Sequence, residues 1–130
     1  MTTYLSLTQL LRLHERQIRA FGGSLGVRDK GAAEAALARP QMTFGGEDLC
    51  PDLESKAAAL MHSIVLNHPF IDGNKRAGAM AAELFLGIGG VDLMAGDDDL
   101  AEMTLAVARG EVTAEALSIW LRQRTRRRER

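Results

Sequence analysis

Ala57-Ala58-Ala59-Leu60-Met61-His62-Ser63-Ile64-Val65-Leu66-Asn67, then His68-Pro69-Phe70-Ile71-Asp72-Gly73-Asn74-Lys75-Arg76, then Ala77-Gly78-Ala79-Met80-Ala81-Ala82-Glu83-Leu84-Phe85: this stretch decides the fold. Its first part is apolar on nearly every side, the mark of a helix buried all round. That helix is expected from Leu53, after the cap Asp52, to about Asn67. The last part continues from near Asn74 to about Gly87, with Ala77, Met80, Ala81, Leu84 and Ile88 in one stripe widened by Phe85 and Leu86. Two buried helices therefore flank one short polar loop.

Outward from that pair the chain stays helical. Leu7, Leu10, Leu11, His14, Ile18 and Phe21 recur at three- and four-residue steps, predicting a helix from Ser6 or Thr8 that stops at Gly22-Gly23. A second helix follows the cap Asp29 and ends at Pro40, because the residue before a proline is pushed out of the helical region. Gln41 to Pro51 has no helical pattern, and Phe44-Gly45-Gly46 is a turn signal for a β-flap or an irregular loop. Val91 to Met94 reads as extended. Asp97 or Asp98 should cap a fifth helix to Arg109, and Thr113 a last one carrying Leu117, Trp120 and Leu121. The expectation is an all-α bundle of about six helices with one flap that can pair as a β-hairpin, a single domain over 1–130.

Composition narrows the class. At 130 residues, 46% hydrophobic and 25% charged, the chain can bury a proper core without disulfides or a structural metal. Cys50 is the only cysteine, which forbids an intrachain disulfide and favours a reducing, cytoplasmic setting. The first residues lack a basic stretch leading into an apolar one, so no signal peptide is expected. The longest nearly apolar run, Ala77 to Gly90, is interrupted by Glu83 and is too short to span a bilayer, so no membrane role is expected.

The net charge of −1 conceals an asymmetry. Six of the 16 basic residues (Arg122, Arg124, Arg126, Arg127, Arg128 and Arg130) fall in the last nine positions beside Glu129. Without that tail 10 basic residues face 16 acidic ones, a body of net charge −6. A solvated, fraying helix end, its arginines complementing the helix dipole, accounts for such a tail. The alternative is a patch for nucleic acid or an acidic partner.

The chemistry lies in the loop. A helix-to-helix turn has no structural use for a histidine, a carboxylate, a Gly-Asn turn and two cations within nine residues. Gly73 can take backbone angles closed to other residues and let the amides of Gly73, Asn74 and Lys75 converge. These amides open a helix, where unpaired N–H groups and the dipole attract phosphate. Lys75 and Arg76 add formal charge, Arg76 as a fork for two phosphate oxygens. Asp72 suits Mg²⁺ bridging to the same phosphates. His68 can accept a proton from an attacking hydroxyl, since an imidazole ordinarily titrates near working pH. Together these are the parts of phosphate-ester transfer. His14 and His62 read as structural histidines. No second His or Cys lies at short ligand spacing after His68, which disfavours zinc, and no Gly-Lys pair exists, which excludes a P-loop.

The nine residues from His68 to Arg76 resemble the Fic/Doc motif, and their Asn74-Lys75-Arg76 ending resembles its Doc (death-on-curing) branch. Arg39-Pro40-Gln41 with Thr43-Phe44-Gly45-Gly46-Glu47-Asp48-Leu49 resembles the flap of Doc-like proteins, and Lys56-Ala57-Ala58 through His62 the helix leading to the motif. The similarity runs from about Tyr4 to Trp120. It implies a toxin of a toxin–antitoxin system that uses ATP and Mg²⁺. His68 would be the base, Asp72 the Mg²⁺ ligand and Phe70 a buried loop anchor. Gly73, Asn74 and Lys75 would cradle phosphate, and Arg76 would neutralise charge developing in transfer. The flap residues Thr43, Phe44, Gly45, Gly46 and Glu47 would align a target segment, as an added strand.

Two departures bear on the reaction. Adenylylating Fic enzymes usually carry glycine where Lys75 stands, and a second arginine where this chain has Ala79. The resemblance therefore implies the Doc outcome, transfer of the terminal phosphate of ATP to a Ser or Thr hydroxyl of a target, which in the characterised family case is a translation elongation factor and causes growth arrest. AMP transfer, a catalytically silent nucleotide-binding or interaction module, and a nucleic-acid binder using the Arg-rich tail are the alternatives. Fic proteins can carry an inhibitory Ser/Thr-x-x-x-Glu helix. Thr43 to Glu47 and Thr125 to Glu129 have that spacing without the residue that usually follows, so restraint is expected from a partner antitoxin acting in trans.

Overall fold

The computed structural model describes residues 1–129; Arg130, counted above in the basic tail, lies outside them. Six helices carry the fold: α1 Leu7–Phe21, α2 Lys30–Ala38, α3 Leu53–Asn67, α4 Asn74–Ile88, α5 Asp97–Ala108 and α6 Ala114–Arg122. Four short strands form two antiparallel pairs, β1 Thr43–Phe44 with β2 Glu47–Asp48, and β3 Val91–Leu93 with β4 Thr125–Arg127. The expected all-α class is the observed one, and of the two forms open to the flap, hairpin or irregular loop, it takes the hairpin.

Side-chain caps set several helix starts. Ser6 and Gln9 form a reciprocal capping box at α1, and Asp52 and Ser55 do so at α3. Asp29 accepts from the Ala32 amide at α2, and Thr113 from the Ala116 amide at α6. At α5 the cap is Gly96, without a side-chain bond; Asp97, Asp98 and Asp99 occupy the first turn, where their charge suits the helix dipole. Pro40 does not end the helical path either. It sits near the start of a 3₁₀ turn, Arg39–Gln41, where its missing N–H costs nothing.

Helix α3 is the axis of the molecule, packed most extensively on α4 and α6 and also on α2. Ala57, Ala58, Leu60, Met61, Ile64 and Val65 on α3 meet Ala77, Ala81, Phe85 and Leu86 on α4 in one cluster with Leu10, Val107, Leu117 and Leu121. The α3–α4 crossing is close because of Gly78. A Cβ there would stand 2.6 Å from Val65 Cγ2 and 3.2 Å from the Met61 carbonyl oxygen. That crossing fixes the polar loop between the two helices.

The basic tail is not a fraying helix end. After α6 the chain turns back as β4 and pairs with β3 in the register Val91↔Arg127, Asp92↔Arg126 and Leu93↔Thr125. Arg128 bonds Asp92 at 2.9 Å and the Gly87 carbonyl at 3.1 Å, while Arg122 reaches Asp52 at 2.7 Å and Arg124 lies over the Trp120 ring at 4.3 Å. An unpaired extended segment at Val91–Leu93 offers its backbone groups to whatever strand follows. Three of the arginines find partners that composition alone cannot reveal.

Candidate active site

His68 ends α3 and Asn74 begins α4, so the motif is the hinge between the two most buried helices. His68 closes α3 in the left-handed region (φ 48°, ψ 60°), the one non-glycine at positive φ among the described residues. That conformation costs an L-residue about 1–2 kcal/mol and persists only where the surroundings impose it. Its side chain is exposed and makes no hydrogen bond among the described residues, so it is free to meet an incoming group.

Phe70, the loop anchor that the resemblance implies, is fully buried. His14 of α1 stacks on it with ring centroids 3.8 Å apart and planes 3° from parallel. The same imidazole donates from Nε2 to the Asp72 carbonyl at 2.8 Å, which fixes its tautomer. His14 and His62 (whose Nε2 donates to the Val112 carbonyl) are structural histidines, and His14 serves the motif directly.

The Asn74 side chain is committed within the loop. The carboxamide is buried, accepting from the Phe70 amide and donating to the Phe70 carbonyl, both at 2.9 Å. It braces the loop from within, leaving only its backbone amide for an anion. The first backbone bond of α4 runs from the Ala77 amide to the Gly73 carbonyl, so the amides of Asn74, Lys75 and Arg76 precede the helix's own ladder. The Gly73 amide is already committed, donating to Asp72 Oδ1 at 2.8 Å. Gly73 is needed for two reasons: it sits at φ 77°, and a Cβ would fall 2.2 Å from Gln17 Nε2, which donates to the Gly73 carbonyl.

Asp72 is exposed, and each of its oxygens accepts one backbone N–H, Oδ1 from Gly73 and Oδ2 from Ser24. Both oxygens keep a lone pair, so the carboxylate is oriented without being used up. Among the described residues no group of three or more His, Cys, Asp or Glu side chains converges on one point. The donor set is that of a single carboxylate able to hold a divalent cation shared with a nucleotide's phosphates. Lys75 and Arg76 are exposed on the first turn of α4, with the Arg76 guanidinium 4.1 Å from the Phe21 ring centroid.

Sequence reading missed the segment between α1 and α2, treating Gly22-Gly23 only as a helix stop. Residues 22–29 run beside the motif as a strap. The Ser24 amide holds Asp72, the Gly26 carbonyl accepts from the Ile71 amide, and Val27 bridges Phe70. Gly23 approaches so closely that a Cβ would meet Asp72 Oδ2 at 2.7 Å. The available signal was the spacing Gly22-Gly23-Ser24-Leu25-Gly26, more glycine than a helix stop needs.

The flap is placed quite differently. Thr43 to Asp48 is exposed throughout, with Gly45-Gly46 as its turn. It is tied down at its base by Lys56 of α3, which is 2% exposed and donates to the Pro40 carbonyl and the Asp48 carboxylate, both at 3.1 Å. Burial pushes the Lys56 pKa down, but contacts with Tyr4 and Asp48 outweigh that and raise it, so the cation persists inside.

Relatives bear on this geometry. The Fic/DOC family model matches residues 4–86, which include α1, the strap, the flap and the whole motif. Over 79 residues, 61% of this chain and 61% of the relative, the chain is 54% identical to the protein named Toxin Doc of Mycolicibacterium smegmatis. Over 120 residues, 92% of this chain and 94% of the relative, it is 32% identical to Protein kinase doc of Escherichia phage P1. Motif, strap and flap lie within one continuous family match, and the chain belongs to the Fic/DOC family.

Proposed function

We propose that this chain is a Doc-type toxin that transfers the terminal phosphate of ATP to a Ser or Thr hydroxyl of a protein target, a translation factor by the resemblance, and is restrained by an antitoxin. The observation that carries the reading is the α3–α4 hinge: an exposed, uncommitted imidazole closes one helix, and the free amides, Lys75 and Arg76 open the next, six residues on. The name of the phage relative, a protein kinase aligned over nearly all of both chains, supports the same reaction.

In the step so proposed, the target hydroxyl oxygen bonds to the γ-phosphorus, its proton passes to His68, and the bond from that phosphorus to the bridging oxygen breaks to release ADP. Mg²⁺, when bound with the nucleotide, would neutralise phosphate charge. Asp72 would hold it through the lone pairs not engaged by Gly73 and Ser24. Lys75 and Arg76 would pair with the phosphate oxygens, and release of Arg76 from the Phe21 face would be part of that engagement. The exposed flap, Thr43 to Glu47, would receive the target segment along a strand edge.

The test is intact-mass spectrometry of a translation extract incubated with the protein, Mg²⁺ and ATP, beside His68→Ala. The expected result is a species heavier by one phosphate, formed about 10²–10⁴-fold more slowly by the variant. An added AMP would retain the site and overturn the phosphate assignment. No modification at equal loading of a target-rich extract would favour a silent nucleotide-binding module.

A further inference from the structure

We propose that Arg28, in the strap between α1 and α2, is the positioning residue that sets the direction of the His68 imidazole. The proposal rests on the reading of His68 as the base.

A helix C-terminus leaves its last carbonyls without partners. The last α3 bond is from the His68 amide to the Ile64 carbonyl, at 3.3 Å, so the carbonyls beyond must be satisfied from outside the helix. One residue receives three of them in succession. Arg28 Nη2 donates to the Asn67 carbonyl at 2.7 Å, Arg28 Nε to the His68 carbonyl at 2.6 Å, and the Arg28 backbone amide to the Pro69 carbonyl at 2.8 Å. The Asp29 amide adds a second bond to Pro69, at 3.0 Å.

The geometric consequence is specific to His68. Its φ and ψ are the rotations that relate the peptide plane before it to the peptide plane after it. The Asn67 oxygen belongs to the first plane and the His68 oxygen to the second. A single rigid guanidinium grips both, and so fixes both dihedrals of a residue in a conformation its side chain disfavours. Those dihedrals set the Cα–Cβ direction, from which the imidazole departs. A displacement of about 1 Å in a reacting group can cost 10²-fold in rate. Lysine would supply the charge but not the fork.

The proposal predicts a split between turnover and binding, because Arg28 acts on the base and has no bond to the phosphate-binding end of the loop. Arg28→Ala and Arg28→Lys would be assayed for phosphate transfer in the extract, with melting temperature measured alongside. Turnover should fall about tenfold or more in Arg28→Ala, with KM for ATP within about threefold of the parent, and Arg28→Lys should recover part of the loss. In parallel, the backbone chemical shifts of His68 would be followed in labelled protein. They should leave their left-handed values in Arg28→Ala while those of Leu60 and Met61 stay unchanged. Unchanged turnover, or unmoved His68 shifts in a folded variant, overturns the proposal. So does a KM for ATP that rises as much as turnover falls. Should parent and His68→Ala be equally inactive, the kinase reading fails on its own account and the His68 shifts alone decide the role of Arg28. Should Arg28→Ala not fold, Arg28→Lys carries both arms, with turnover reduced at least threefold and shifted His68 resonances as the expected result.

Discussion

Helix α3 has a loop at each end, and the two are built on opposite plans. The loop that leaves it, His68 to Gly73, is braced by His14 and Gln17 of α1, by the strap from Ser24 to Arg28, and by Asn74 of α4. The loop that enters it, Met42 to Pro51, is exposed along its hairpin and held mainly where it meets the helix, through Lys56 and Asp52. Rigid fixation suits groups that must be oriented before a reaction, since little reorganisation is then left to the transition state. A loosely anchored edge suits a segment that acquires its order from a partner. On the proposed function, the bracing of one loop and the exposure of the other would separate the reacting groups from the recognition surface.

The largest effect on the fold is expected where the bracing is most buried. Asn74→Ala would leave the Phe70 amide and carbonyl without their partners, at about 1–3 kcal/mol for each buried group. A loss of about 3 kcal/mol should appear as a fall in melting temperature of roughly 10 °C, with phosphate transfer falling in the fraction that remains folded. Melting and transfer measured on the same preparation check both parts. A variant that melts like its parent would mean that the motif loop is no more constrained than the flap, and the contrast would be lost.

This contrast was only half legible in the sequence. The helices were, because Leu, Ala and Met at three- and four-residue steps leave few alternatives, and Asp29, Asp52 and Thr113 announce where helices begin. The motif was legible as a density of polar groups. What holds it was not. Arg28 is 40 residues from His68 and Gln17 is 56 from Gly73, and nothing local in either segment encodes such a meeting. Nor was the task of the Asn74 carboxamide legible: carboxamides serve a ligand and a backbone equally well, and only its buried bonds to Phe70 show which it serves. The Arg-rich tail misled because charge patterning is silent about backbone pairing. Arg126 and Arg127 ride on β4, whose partner β3 lies more than thirty residues earlier.

A smaller effect is expected at the anchored end of the flap. Burial pushes the Asp52 pKa up, but the Arg122 guanidinium and the Ser55 hydroxyl and amide outweigh it and hold the carboxyl at about 2, below its ordinary 3.8. The folded state thus favours the ionised form, and the stability this brings is present above about 3.8 and lost as pH falls toward 2. The pair is about 40% exposed on both sides, so screening reduces its worth to about 1 kcal/mol or less. Asp52→Asn keeps a cap for α3 while removing the charge. Its melting temperature should lie slightly below that of the parent near neutral pH, with the gap closing between pH 4 and pH 2. A gap that persists in acid, or one as large as that of Asn74→Ala, would mean that the flap end is held by packing and is no looser than the motif.

The smallest effect on the fold, and the most informative about the flap, should come from Phe44. It is 80% exposed on β1, where a large aromatic side chain gains nothing from the folded monomer. Phe44→Ser should therefore change stability by no more than about 0.5 kcal/mol. If the flap receives the target, Phe44 becomes buried only in the complex, and removing an aromatic contact of that kind costs roughly 1–2 kcal/mol of association. The KM for the protein target should then rise about tenfold, with turnover at saturation and the KM for ATP unchanged. Arg28→Ala should give the complementary pattern, with turnover reduced and both KM values nearly kept. Two substitutions, one against the loop that leaves α3 and one in the loop that enters it, would thus separate positioning of the base from recognition of the target. A Phe44 variant that lost turnover instead would place the flap among the parts that orient the reaction and remove the distinction between the two loops.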